Sequence, residues 1–268
     1  MFSGGASLGA VQIGMLRALY EHDIHPDVIV GCSVGAINGA TYAMEPGIRG
    51  LNRLSNIWGR LADRQPDLMP NRLFPLAVQM GLRSEGLHDP DVLRQLLDDE
   101  LWADDIGDLE VPFACVATSL TKADEHWFDE GPLIPALMAS AALPAVYPPV
   151  EIEGELFMDG GVVREAPVDQ AAAMGANKIY LLHVGHLAEI REPDLERPLD
   201  GLLHAYWVAR HRRFEEDLEE LGKRCELIRL PAGDIPRVRF DDFSRSRELS
   251  RLAYEASAAF LSAGSLSS

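Results

Sequence analysis

Residues Gly31-Cys32-Ser33-Val34-Gly35 constrain this chain more than any other stretch. They form a Gly-x-Ser-x-Gly pentapeptide directly after the apolar run Val28-Ile29-Val30. A strand that turns abruptly into a helix at a serine is the layout of a nucleophile elbow, where the serine sits in a strained turn with its hydroxyl presented outward. Residues two before and two after such a serine approach too closely to carry side chains, which is the place of Gly31 and Gly35. The run from Ala36 to Ala43 can form a helix whose free N–H groups point back at Ser33. The plainer alternative is a tight strand-to-helix turn with a capping serine.

The gross properties suit an enzyme. A chain of 268 residues, 47% hydrophobic, can bury a substantial core, and residues 1–268 are read as one domain. No apolar run approaches the roughly 20 residues needed to span a bilayer. The start, Met1-Phe2-Ser3-Gly4-Gly5, lacks the basic and apolar regions of a signal peptide. Three cysteines without a scaffold-like spacing predict reduced thiols and a cytoplasmic setting. Cys32, beside the candidate nucleophile, is read as a small apolar filler.

The formal charge of −18 disfavours nucleic acid as a partner, because binding would meet repulsion rather than gain from counterion release. It disfavours electrostatic docking on anionic lipid for the same reason. A lipid-active enzyme with this balance needs an apolar patch for transient membrane contact, or a dispersed substrate. The basic cluster Arg210-His211-Arg212-Arg213 is followed at once by Glu215, Glu216 and Asp217, the pattern of a solvated helix face.

Along the chain, helices and strands alternate. Gly9 to Tyr20 reads as a helix, Val28–Val30 as a strand, and Asp89-Pro90 as the start of a helix carrying Leu93, Leu96, Leu97 and Leu101. Val111–Ala117 and Glu155–Met158 read as strands, Pro167–Met174 as a helix. Ile179–Val184 has the continuous apolar character of a parallel strand covered on both faces. Helices over Leu199–Leu221 and Ser246–Leu261 bracket a strand at Cys225–Leu230. The stretch from Gln65 to Pro90 lacks periodicity and is expected to be an irregular cap. This alternation implies an α/β fold, a three-layer helix–sheet–helix sandwich with a mainly parallel central sheet.

Two further sites bear on chemistry. Ser3-Gly4-Gly5-Ala6-Ser7-Leu8-Gly9-Ala10 is a glycine-rich loop that opens a helix, so its N–H groups can surround an anion. Its glycine spacing does not match a dinucleotide fingerprint, and the Gly-Lys-Ser/Thr of a phosphate loop is missing. An oxyanion hole fits better, since it needs only close, unhindered donors. Tight packing is the plain alternative. Farther on, Phe157-Met158-Asp159-Gly160-Gly161 delivers an aspartate at a strand end, followed by two glycines that admit neighbouring backbone. Asp-Gly alone is ordinary turn chemistry, so Asp159 matters only if it meets Ser33. The eight histidines show no metal-ligand spacing, and neither a metal nor a cofactor is expected.

Taken together, the glycine-rich loop, the serine pentapeptide and Asp159-Gly160-Gly161 resemble, in order and spacing, the patatin-like phospholipases. The block Ala139 to Val150 and Pro167-Val168-Asp169 with Gly175-Ala176 add to the likeness. It covers about residues 1–185, and the remainder, about 186–268, is similar only in being helical. The resemblance implies a patatin-like fold and a serine acyl hydrolase acting on lipid esters (phospholipid, lysophospholipid or acylglycerol). It implies Ser33 as nucleophile, Asp159 as its partner in a dyad without histidine, and an oxyanion hole at Gly4, Gly5 and Ala6.

This chain has Ala6 where many members have a third glycine, and Leu8 where they have a basic residue. A methyl at Ala6 is compatible with the hole if the backbone there avoids positive φ. With only Met1 and Phe2 ahead of the loop, a truncated first strand is expected. The rival reading is a Ser–His acyltransferase using a thioester, with His183 or His186 beside Ser33. A catalytically silent lipid- or protein-binding module is the other alternative.

Overall fold

The computed structural model describes residues 1–63, 90–144, 146–164, 168–184, 198–223, 225–236, 238 and 242–264. Strands β1 (Ile29–Cys32) and β2 (Phe113–Ser119) run parallel, with Ile29 opposite Phe113 and Cys32 opposite Val116. β3 (Asp124–Phe128) pairs antiparallel with β2 over Cys115–Ser119. β5 (Glu155–Asp159) also pairs antiparallel with β2, over Ala117–Ser119, and β4 (Val150–Ile152) pairs with β5. A second parallel pair joins β6 (Lys178–Leu181) to β7 (Glu226–Arg229).

Met1–Ser3 tie the two groups together. Phe2 forms parallel bridges to both Gly31 and Leu182. Its N–H donates to Val30 O at 2.9 Å, and the Leu182 N–H donates to Met1 O at 2.9 Å. The short first strand is therefore a wedge between β1 and β6. The sheet is mixed, with a parallel half around that wedge and an antiparallel half around β3–β5.

Alternation along the strands decides the layering. The paired residues Ile29 and Phe113 join one buried cluster, and their neighbours Val30 and Ala114 join another. The first cluster is roofed by α1 (Ala10–Glu21), α2 (Val34–Met44), α3 (Ile48–Asp63), α5 (Leu133–Ser140) and α8 (Ser246–Gly264). The second packs under α6 (Val168–Ala173) and α7 (Pro198–Leu221), through Ala171 and Phe214. Both faces of β1 and β2 are covered, so these strands read as unbroken apolar runs. α4 (Pro90–Glu100) starts at the expected proline and buries Leu96 and Leu97.

Among the described residues, four helices and strands are additional to those expected: α3, α5, β3 and β4. α3 is the plainest of them, with Leu51, Leu54, Ile57 and Trp58 buried at helical spacing. β2 starts two residues later than expected because Pro112 has no N–H to give a ladder. The expected cap at 65–89, the Asp89 helix cap, Pro167, and the histidines His88 and His186 lie outside the described residues.

α1 and α8 cross in contact at Gly14, where a Cβ would overlap the Ser250 carbonyl oxygen and come within 2.6 Å of the Tyr254 nitrogen. Alanine in a helix interior gains about 1 kcal/mol over glycine, whereas overpacking costs about 1–3 kcal/mol. With rigid backbone as the obstacle, the second effect wins at this crossing. Urea denaturation should show Gly14→Ala less stable than wild type. Gly59→Ala on α3, where a Cβ meets only open space, should be neutral or up to about 1 kcal/mol more stable.

Candidate active site

The site is built from the shared edge of β2. One edge of Cys115–Ser119 is occupied by β3, so β1 and β5 must divide the other. β1 holds it up to Val116, and β5 takes over at Ala117, whose partner is Asp159. The residue leaving β1 is Ser33. Two strands running head to head along one edge thus deliver a serine and an aspartate to the same point.

Ser33 has φ 56° and ψ −130°, a left-handed conformation that costs a non-glycine residue about 1–3 kcal/mol. Its surroundings enforce that turn. A Cβ on Gly31 would lie 2.6 Å from Ala36 Cα, and one on Gly35 would overlap the Ser3 carbonyl oxygen. The Ser33 N–H donates to Ser140 Oγ at 2.9 Å, and Ser140 Oγ donates to Val116 O at 2.7 Å. Ser140 is a clamp that sequence reasoning placed only within a likeness block. The run of small residues Ala139–Ala142 around it was the available signal.

Asp159 is fully buried. Its Oδ2 accepts the Ser33 hydroxyl at 2.5 Å, and its Oδ1 accepts the Gly161 N–H at 2.8 Å. Its backbone is held from both sides, with the N–H on Ala142 O and the carbonyl accepting from Thr118 Oγ1, each at 2.9 Å. At Gly160 a Cβ would overlap the Val116 carbonyl. The carboxylate is thereby fixed in plane, and a hydroxyl in hydrogen-bond contact with a base is the arrangement that activates a nucleophile.

The glycine-rich loop packs beside Ser33. A Cβ on Gly4 would lie 3.3 Å from Ser33 Cβ, and one on Gly5 would overlap the Val184 side chain. Among the described residues, the N–H groups of Gly4, Gly5 and Ala6 have no acceptor. Ala6 has φ 49°, contrary to the condition under which its methyl was expected to be unstrained. The alanine carries here the conformation for which glycine is the default.

Ala6 and Ser33 open on a common cavity walled by Ile37, Trp58, Leu61, Leu93, Leu143 and Val146. Among the described residues, its polar lining is Ser33, Asn38, Tyr147 and Arg210. Asn38 is occupied elsewhere, bonding Gly9 O and Gln12 Oε1 and accepting from Trp58 Nε1 at 2.9 Å. Burial pushes the Tyr147 hydroxyl up to about 12, so it stays protonated and acts as a neutral group.

Arg210 corrects the sequence reading. It does not lie on a solvated helix face but is buried, with 4% of its surface exposed. His183 is buried on the other side of the sheet's end, its ring stacked on Phe214 at 4.4 Å and its Nδ1 3.0 Å from Arg229 Nη2. It does not line the Ser33 cavity. Among the described residues no three His, Cys, Asp or Glu side chains are grouped to hold a metal ion, and no helix is long and apolar enough to cross a membrane.

Comparison with known proteins bears on this geometry. A family model described as patatin-like phospholipase matches residues 1–172. A patatin-like phospholipase domain-containing protein of Caenorhabditis elegans is 30% identical over 188 residues, covering 69% of this chain and 16% of the relative. Neuropathy target esterase of Drosophila melanogaster is 26% identical over 93% of this chain and 18% of its own length. A lysophospholipase of Aspergillus terreus is 25% identical over 70% of this chain and 12% of its own. The chain thus spans less than a fifth of each of these relatives. Among solved structures, VipD from Legionella pneumophila superposes with a TM-score of 0.53 at 14% identity, over 97% of this chain and 66% of that one, a likeness of fold.

The clamp at Ser140 is open to a direct test. Ser140→Ala leaves the buried Ser33 N–H and Val116 carbonyl without this partner, and should cost about 1–3 kcal/mol in urea denaturation. Ser55→Ala removes only a bond from a helix hydroxyl to the carbonyl four residues back, and should stay within about 0.5 kcal/mol of wild type.

Proposed function

The chain belongs to the patatin-like phospholipase family, and from that premise we propose that it is a serine acyl hydrolase cleaving carboxylic esters of lipids through Ser33, Asp159 and an acyl-enzyme. The observation that carries the reading is the 2.5 Å bond from Ser33 Oγ to a buried Asp159 carboxylate at the mouth of an apolar cavity.

Ser33 Oγ attacks the ester carbonyl carbon while its proton passes to Asp159 Oδ2. The carbonyl electron pair moves to oxygen, and the resulting oxyanion is met by the N–H groups of Gly4, Gly5 and Ala6. The tetrahedral species collapses, the carbon–oxygen bond to the alcohol breaks, and Asp159 returns its proton to the leaving alkoxide. Water then gives a proton to Asp159 as its oxygen attacks the acyl-enzyme carbonyl; the carbon–Oγ bond breaks, Asp159 returns that proton to Ser33 Oγ, and the fatty acid leaves. Gly161, by holding Oδ1, leaves Oδ2 as the oxygen that accepts the proton. The cavity side chains Ile37, Leu61, Leu143 and Val146 take the acyl chain.

Lysophospholipid is the first substrate class to examine, since relatives named lysophospholipase and neuropathy target esterase match most of this chain. Access to a lipid surface would run through apolar contact, because a chain of net charge −18 is repelled by anionic bilayers. The Ser–His alternative has no comparable support at His183, whose ring stacks on Phe214 and whose Nδ1 meets Arg229.

Hydrolysis of p-nitrophenyl butyrate and of lysophosphatidylcholine by purified variants tests the reading. Ser33→Ala should lower kcat/KM at least about 10³-fold and Asp159→Asn about 10²–10⁴-fold, the range for loss of a positioned base. His183→Asn should stay within about tenfold of wild type. An Asp159→Asn enzyme of near wild-type activity would sink the dyad, and a dead His183→Asn enzyme that remains folded would favour the acyltransferase.

A further inference from the structure

We propose that Arg210 is a catalytic residue of this site, its guanidinium binding the oxygen that becomes anionic when Ser33 attacks. The inference rests on the hydrolase reading above and adds to it a charged group from α7, far from the sequence motifs.

Two motif glycines make room for this side chain. A Cβ on Gly161 would have Arg210 Cζ at 2.5 Å and Nη2 at 2.6 Å as its nearest neighbours. A Cβ on Gly4 would lie 2.8 Å from Arg210 Nη2. Neither glycine has the positive φ that would by itself require glycine. The glycine-rich loop and the Asp-Gly-Gly turn therefore both approach one guanidinium.

The same imaginary Cβ on Gly4 lies 3.3 Å from Ser33 Cβ. A single point beside Gly4 is thus close to both the guanidinium and the Ser33 side chain. Arg210 lines the cavity with Ser33 and Ala6, so it faces the reacting carbonyl rather than bulk solvent. Tyr206, one turn earlier on α7, orients it: the guanidinium carbon stands 5.0 Å from the ring centroid, and Nη1 is 3.4 Å from the hydroxyl.

Chemistry favours an anion here. Residues 3–10, the loop nearest the developing charge, contain no Lys or Arg, so its amides alone would meet the oxyanion. A cation in a water-poor pocket adds a charge-assisted contact that strengthens as negative charge forms. In the attack step the Ser33 oxygen–carbon bond forms, the hydroxyl proton goes to Asp159 and the carbonyl π pair becomes the oxyanion facing Arg210. After deacylation the same group faces the carboxylate of the released acid.

The test compares wild type with Arg210→Lys, Arg210→Met and Arg210→Ala on p-nitrophenyl butyrate, a neutral substrate, with Ser33→Ala as blank. Arg210→Ala should lose about 10²–10³ in kcat, the scale of one oxyanion donor, with KM altered far less, and Arg210→Lys should retain part of the rate. Millimolar guanidinium chloride should restore turnover to Arg210→Ala, where sodium chloride does not. Calorimetry of octanoate and 1-octanol on a Ser33→Ala background, with and without Arg210→Met, reads the charge contact apart from turnover. Octanoate binding should weaken at least tenfold while octanol binding holds.

Arg210→Ala and Arg210→Met enzymes within threefold of wild type would overturn the proposal. So would slow but folded variants with no guanidinium rescue and undiminished octanoate binding, which would mark the arginine as structural. Absence of any Ser33-dependent ester turnover in wild type would instead defeat the hydrolase reading, and the octanoate comparison would still decide the anion contact.

Discussion

Ser33 and Asp159 meet because β1 and β5 share one edge of β2 from opposite directions, the first ending opposite Val116 and the second ending opposite Ala117. A one-residue slip of either strand would turn its side chains to the other face of the sheet. The register is pinned on both sides of the meeting point. Ile29 and Phe113 lock one cluster and Val30 and Ala114 the other, while Ser140 and Thr118 bond the backbone of the elbow and of Asp159. Sheet packing therefore sets the distance between the two side chains to a precision that a pair of loops would not hold.

Around that point, glycines define where other groups may come. Gly35 admits the wedge strand, Gly160 admits the Val116 carbonyl, and Gly4 and Gly161 admit the Arg210 guanidinium. Each removes a methyl from a place where backbone or charge approaches Ser33 or Asp159. The motifs are thus a negative image of the site, a record of the atoms that need space.

Much of this was legible in the sequence. The Gly-x-Ser-x-Gly spacing after an apolar strand, the glycine-rich loop and the aspartate at a strand end each carry local signals, and the structure brings the three together. β3 and α5 were not readable, because a half-buried hairpin strand and a short helix containing Pro135 lack a clear period. Arg210 was misread for a sharper reason. Its neighbours Arg212, Arg213, Glu215 and Glu216 do make a solvated face, but on a helix a residue two positions away points elsewhere. Only the packing of α7 over Gly161 tells that Arg210 faces inward. Ser140 was only half legible: the small residues Ala139–Ala142 signal close packing, but a clamp on a backbone N–H leaves no spacing that names the serine.

Strain completes the site. Among the described residues, Ser33 and Ala6 are the non-glycine residues of positive φ that line the cavity. Each such conformation costs on the order of 1–3 kcal/mol and persists only where its surroundings over-determine it. For Ser33 those surroundings are Gly31, Gly35 and the Ser140 clamp. For Ala6 they are the packing of Gly5 against Val184 and of Gly9 against Val34. Relaxing either residue toward negative φ would redirect a backbone N–H and displace the serine hydroxyl or the cavity wall. For these two residues the packed sheet where β1, the wedge strand and β6 converge offsets that cost, whereas Ala123 and Glu153, also of positive φ, sit in turns of the antiparallel half. A rigid core and a strained turn are in this chain one arrangement, the first holding the second in a conformation it would not keep alone.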